Sequence, residues 1–361
     1  MEKDPFKEYI IEQEPSKKEL SYSWNTAIGL QKVDGLENSN YLKSIAIENI
    51  NGNITIEKAE ELIKSYYKEN VEHQSFYEEA DKVAVNIAKI LSDNSFVFSP
   101  AQYLEIHKNI FSNVFSHAGK IRNYNITKKE WVLDGDTVIY GGASLLKETL
   151  EYDFDEEKKF DYKNINKDEF IKHIASFIAN LWQIHVFSEG NTRTTAVFLI
   201  KYLRKFGYDV TNDVFAKNAW YFRNSLVRAN YTNIEKGVFE TTKYLEIFLR
   251  NLIFGEQNEL KNRYLHIHWK EKVDIGAEKV DIGDDKVDID ALKLSATMRK
   301  NINLLFSSLS NQAFFGREVI IKILNLSPSG ASKLIVKLLD LKIIIPISGH
   351  GKGKYQLNIK I

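Results

Sequence analysis

The 361-residue chain has no cysteine and only five prolines. The first absence excludes disulfides and thiolate metal sites, and the second leaves long periodic stretches free of helix breakers. Net charge is missing too. Because 49 Lys and Arg stand against 49 Asp and Glu, the chain as a whole has no long-range pull towards nucleic acid or membrane, and either partner would need a local patch. No apolar run approaches the ~20 residues of a membrane-spanning helix, so no membrane partner is expected. The charged start Met1-Glu2-Lys3-Asp4-Pro5 lacks the apolar stretch of a signal peptide, and a cytoplasmic location is expected. What is present is hydrophobic content of 43% and aromatic content of 12%, enough for sizeable cores in two or three domains. The fold class expected is mainly α, with strand-like alternation confined to a few places.

The most informative stretch is His185-Val186-Phe187-Ser188-Glu189-Gly190-Asn191-Thr192-Arg193. Upstream, Asn166 followed by Glu169 reads as an N-cap with its reciprocal partner, and Phe170, Ile174, Phe177, Ile178 and Leu181 recur at the helical period. Downstream, Ala196, Val197, Leu199, Ile200 and Leu203 form a second apolar face that stops near Gly207. The turn between them sits at a helix N-terminus. There the backbone N–H groups of Gly190, Asn191 and Thr192 can converge on an anion, favoured by the helix dipole, and Arg193 adds a cation. Glu189 would repel a bare phosphate, which points to a bridging divalent ion, Mg2+. His185 has the chemistry to take a proton from an attacking hydroxyl. Phe187 reads as a core anchor orienting the loop.

At these residues the chain resembles the Fic/Doc family, whose motif runs His-x-Phe-x-Asp/Glu-Gly-Asn-Gly/Lys-Arg-x-x-Arg. Ile106-His107 through Ala118-Gly119-Lys120-Ile121-Arg122 is similar to that family's early core helix, and Arg228-Ala229-Asn230 to a helix that helps bind nucleotide. The resemblance implies transfer of AMP from ATP onto a Ser, Thr or Tyr hydroxyl of a protein, or of the chain itself. In it His185 is the base, Glu189 the Mg2+ ligand, and Gly190, Asn191, Thr192, Arg193 and Asn230 bind the nucleotide. Two positions depart from the pattern: Thr192 replaces the usual Gly or Lys, and Ala196 replaces a second arginine. Ser44-Ile45-Ala46-Ile47-Glu48-Asn49 matches the family's Ser/Thr-x-x-x-Glu-Gly/Asn inhibitory motif, which implies that Ser44 and Glu48 gate the site. Rival readings of the same residues are transfer of another phosphate moiety, removal of AMP, and a nucleotide-sensing DNA-binding regulator.

Four segments are expected. Residues 1–95 form an N-terminal helical region, with helices over Tyr41 to Ile47, Ile56 to Tyr67 and Tyr77 to Leu91. Residues 96–255 form the Fic-like helical bundle. Within it Trp131-Val132-Leu133 and Thr137-Val138-Ile139-Tyr140 flank Asp134-Gly135-Asp136, the signal for a β-hairpin that would serve as a flap over the site. Residues 256–294 hold a repeated Lys-Val-Asp-Ile unit whose spacing and glycines argue against a coiled coil, so an extended linker is expected. Residues 295–361 look like a winged helix: helices at Lys300 to Leu309, Arg317 to Leu324 and Ser329 to Leu339, strands at Ile343 to Ile345 and Tyr355 to Leu357, and a basic wing between the strands. Local excess of Lys and Arg there suits DNA, and a docked protein is the open alternative. A homodimer is left open.

Overall fold

The computed structural model describes residues 17–69, 74–210 and 213–269. Towards the C-terminus it describes 287–288, 301–302, 304–305, 309, 315–326, 328–341, 343–346, 354–357 and 359–360. The chain divides into two compact units, Met1–Lys270 and Glu271–Ile361, and is mainly helical.

In the first unit the described helices are α1 Lys17–Leu30, α2 Asn40–Ile50, α3 Ile56–Glu69, α4 Gln74–Ser92, α5 Pro100–Ile110, α6 Leu146–Lys159, α7 Lys167–Ile184, α8 Asn191–Lys205, α9 Val214–Ala229 and α10 Lys243–Phe254. Local chemistry sets several of their starts. The α2 start is capped by the Ser39 hydroxyl, which accepts from Leu42 N–H, and the α5 start by Ser99, with Pro100 at the first helical position. Asn166 and Glu169 form the expected capping box on α7, and the expected apolar residues of that helix are buried. One hydrophobic core runs through the whole unit, so the N-terminal helices share it with the motif helices. The helix α1 packs on α4 and α9, and α8 on α4, α5 and α7. The α1–α9 crossing is close enough that a Cβ on Gly29 would lie 2.4 Å from the Ala216 Cα.

Buried polar groups tie the N-terminal helices down. The Asp81 carboxylate, fully buried on α4, accepts from Asn38 Nδ2 at 3.1 Å, Ser39 N–H at 3.0 Å and the Tyr67 hydroxyl at 2.6 Å. Trp24 Nε1 donates to Asn49 Oδ1 at 2.9 Å, and Asn49 Nδ2 donates to Ile54 O at 2.9 Å. Asn49 thus fixes the end of α2 to α1 and to the following loop. Leaving such groups unpaired in the interior costs about 1–3 kcal/mol each.

The expected hairpin over 131–140 is not formed. Trp131–Leu133 is a turn of 3₁₀ helix, with Asp134 and Gly135 at φ 57° and 86°. Val132 and Leu133 are both fully buried, whereas adjacent strand residues would face opposite ways. Residues 137–140 instead run singly past the end of α7: Gln183 Nε2 donates to Ile139 O at 3.0 Å and Gly141 N–H to Gln183 O at 3.3 Å. Val138 and Tyr140 point inward, while Ile139 is 83% exposed.

In the second unit, helices α11 Arg317–Leu324 and α12 Pro328–Asp340 lie in the chain between the first strand and the other two of a sheet of order β2-β4-β3, formed by Phe315–Gly316, Lys354–Leu357 and Ile344–Pro346, all pairs antiparallel. Ile302, Leu305, Phe315, Ile320, Ala331, Leu338 and Ile344 share a separate core. Most of the repeat, and residues 347–353 where the basic wing is expected, lie outside the described residues. Within the repeat, Val287–Asp288 (β1) pairs parallel with Ile359–Lys360 (β5).

Candidate active site

The motif joins the C-terminus of α7 to the N-terminus of α8. His185 is the α7 C-cap, in the left-handed conformation at φ 52° and ψ 54°. That geometry costs a non-glycine residue about 1–2 kcal/mol, and neighbouring groups hold it. Arg122, buried, donates from Nε to His185 O at 2.7 Å and from Nη2 to Gly141 O at 2.6 Å, while its backbone N–H donates to Val186 O at 2.9 Å. A cation at a helix C-terminus also complements the dipole.

The His185 ring is 3% exposed, between Tyr140 at 4.3 Å and Trp182 at 5.2 Å between centroids. Nδ1 lies 3.3 Å from Trp182 O, which can only accept, so Nδ1 carries the proton. Nε2 therefore presents its lone pair, and that buried atom has no hydrogen-bond partner. Burial, then the charge of Lys128, holds the imidazole well below its usual pKa and keeps it neutral. Negative charge brought in by a phosphate acts in the opposite sense and strengthens the base.

Behind Tyr140 sits a buried fork. Arg223 donates from Nη1 and Nη2 to the two oxygens of Glu130 at 2.6 and 3.0 Å, and the Tyr140 hydroxyl donates to Glu130 Oε1 at 3.2 Å. This bidentate pair fixes the ring that packs on His185.

The loop itself is held by its own residues. The Asn191 side chain closes it, accepting from Phe187 N–H at 3.0 Å and donating to Phe187 O at 2.8 Å. Phe187 is buried and stacks on His107 at 3.7 Å, the core anchor expected of it. His107 Nδ1 accepts from Gly119 N–H at 2.8 Å, so its Nε2–H donates to Glu189 O at 3.1 Å. Burial pushes His107 down to about 3, keeping it in that neutral form. Gly190 has φ 73°, and a Cβ there would fall 2.2 Å from ring carbons of Phe111. No side chain caps α8, whose first backbone bond is Thr194 N–H to Gly190 O at 3.0 Å. The N–H groups of Asn191, Thr192 and Arg193 precede that bond and have no intrahelical acceptor.

Several expected site residues are engaged elsewhere. Thr192 Oγ1 accepts from Trp182 Nε1 at 3.0 Å, and Asn230 Nδ2 donates to Ala179 O and Leu226 O at 3.0 and 2.9 Å. Arg193 is only 2% exposed: Nη1 donates to Gln31 Oε1 and Nη2 to Glu79 Oε1, both at 3.0 Å. Its Nε lies 2.8 Å from Asp34 Oδ2, an ion-pair distance without hydrogen-bond geometry, and its guanidinium lies 4.8 Å from the centre of the Phe111 ring. Ser44 and Glu48 are bonded locally. The Ser44 hydroxyl donates to Tyr41 O at 2.7 Å within α2, and Glu48 Oε2 accepts from Asn53 Nδ2 at 2.8 Å, both exposed.

Glu189 is open to solvent, its side chain 56% exposed and 3.8 Å from Lys128 Nζ. Among the described residues no cluster of three metal-ligating side chains occurs. A lone exposed carboxylate fits Mg2+ in its usual manner, bound through one protein carboxylate with phosphate oxygens and water completing the shell. Sequence reasoning missed Lys128, Asp34, Glu79 and the Glu130–Arg223 fork, because nothing in local spacing connects them to the motif.

Comparison with known proteins places the motif within a recognisable family segment. Residues 97–203 match the Fic/DOC family profile. Protein adenylyltransferase VbhT of Bartonella schoenbuchensis is 28% identical over 109 residues, 30% of this chain and 22% of that protein. Probable protein adenylyltransferase y4lH of Sinorhizobium fredii is 30% identical over 111 residues, 30% of this chain and 55% of that protein. The matched stretch thus spans about a quarter to a half of these relatives. A Fic family protein of Desulfovibrio desulfuricans G20 of known structure superposes with a TM-score of 0.41 at 11% identity, covering 94% of this chain and 88% of its own. Residues 97–203, which end within α8 and contain the whole His185–Arg193 motif, are a Fic/DOC family domain.

Proposed function

We propose that this chain transfers AMP from ATP to a protein hydroxyl. The observation that carries the reading is the unpartnered lone pair of His185 Nε2, four residues before Glu189 and six before the uncapped start of α8. His185 accepts the proton of a Ser, Thr or Tyr hydroxyl. The oxygen attacks the α-phosphorus, the bond from that phosphorus to the bridging oxygen breaks, and pyrophosphate leaves. The N–H groups of Asn191, Thr192 and Arg193 stabilise the phosphate charge. Glu189 would hold Mg2+, which when bound neutralises phosphate charge. The exposed Ile139, on a segment whose carbonyl is bonded to Gln183 beside His185, offers an apolar contact to a target segment.

Incubation of the full chain with α-labelled and with γ-labelled ATP tests this. Label entering protein from the α-phosphate only is expected. Label from the γ-phosphate means phosphoryl transfer, and label from neither refutes transfer.

For the second unit we propose a winged helix that binds DNA weakly through α12 and its neighbours. Arg317, Lys322, Lys333 and Lys337 are all exposed and support the reading. No binding to duplex DNA in a low-salt titration would favour a protein-docking role. Among the described residues no helix is long and apolar enough to cross a membrane.

A further inference from the structure

We propose that Lys128 is the phosphate-binding cation of this site, an inference that rests on the nucleotide-transfer reading above. Within the motif helix, the positions that could carry positive charge do not supply it. Ala196 is apolar and fully buried. Arg193 is buried with its guanidinium against Asp34, Glu79 and Gln31. A cation already compensated by two carboxylates exerts little net field on an incoming anion.

Lys128 differs on each count. Its side chain is 31% exposed, and its ammonium lies 3.8 Å from Glu189 Oε2, its one ion-pair partner among the described residues. That separation is a charge contact beyond hydrogen-bond length, so the contact leaves its donors uncommitted. Its charge also reaches His185, where it is the strongest charge acting on the imidazole. The backbone is fixed: Lys128 N–H donates to Thr137 Oγ1 at 3.3 Å, on the segment that carries Tyr140 past His185. A compact ammonium on a flexible stem can exchange one anionic partner for another. With Glu189 engaged elsewhere, Lys128 is left unpaired at the motif loop, and phosphate oxygens are the anions that would arrive there.

The test is calorimetric binding of ATP to the full chain, with and without Mg2+, for wild type, Lys128→Met and Lys128→Arg. Methionine keeps most of the stem and removes the charge; arginine keeps the charge. Lys128→Met should weaken ATP by ~10- to 100-fold, the worth of hydrogen bonds to a charged group. Lys128→Arg should retain most of the affinity, and both variants should melt with wild type because the side chain is partly exposed. ATP binding by Lys128→Met as tight as by wild type would overturn the assignment, as would equal losses in the two variants, which would mark a packing role. Absence of ATP binding by wild type would overturn the assignment and the proposed function together; an effect confined to Lys128 would leave the latter standing.

Discussion

Replacing Arg193 by methionine separates a structural role for this residue from a purely ligand-binding one. The guanidinium joins the start of α8 to the turn after α1 through Gln31 and Asp34, and to α4 through Glu79. Two hydrogen bonds of the charged kind are lost, worth about 1.5–3 kcal/mol each. The carboxylates left behind do not stay dry, because the Asp34 and Glu79 side chains are already 33% and 37% exposed and can be rehydrated. The methionine stem also keeps part of the packing against Phe111. The expected loss is therefore about 2–4 kcal/mol, below what stranding fully buried charges would cost. All five tryptophans precede residue 270, so tryptophan fluorescence during urea unfolding reports on the first unit alone. A destabilisation below about 1 kcal/mol would refute the clamp, since that is within reach of an exposed ion pair. Strong coupling between Arg193→Met and Asp34→Asn in a double-mutant cycle would support it.

Three further outcomes follow from the geometry and the sequence motif. Gly190→Ala should lower stability by about 2–5 kcal/mol, combining left-handed backbone strain with a clash against Phe111, and should abolish transfer; an active variant of wild-type stability would contradict the loop geometry. His107 is held neutral down to about 3, so the unfolded chain takes up a proton near its ordinary pKa of ~6.5 while the folded chain does not. Its contribution is complete above that value and falls by up to ~1.4 kcal/mol per pH unit as acid is added towards 3; urea titrations should show a shallower acid loss for His107→Gln than for wild type, and parallel slopes would refute the assignment. Glu48→Gly should raise labelling, as the inhibitory motif of the sequence implies; equal labelling by wild type and variant would show that α2, where Glu48 accepts from Asn53, does not gate the site.

The parts legible in the sequence were those encoded by neighbours along the chain. Asn166 and Glu169 start α7 by a bond between residues three apart, and the apolar period carries the helix to His185. Arg317–Leu324 reads directly from its periodicity. The predicted turn at Asp134-Gly135 is present, but the hairpin is not: a turn signal says where the chain bends and nothing about whether the flanks pair. The Arg193 assignment shows a different limit. Its hydrogen-bond partners lie 162 and 114 residues away, so a motif that reads as a phosphate ligand gives no sign that carboxylates from the N-terminal helices already occupy it. Lys128 is similarly invisible, one of many lysines until the fold places it beside Glu189.

The account turns on His185 Nε2 as the base. Wild type and His185→Ala should be compared side by side for ATP binding by calorimetry and for incorporation of α-labelled ATP into protein. The account predicts that the variant binds ATP about as wild type does, because the phosphate contacts are backbone N–H groups and Lys128, and that it incorporates no label. Undiminished labelling by a folded His185→Ala variant would contradict it.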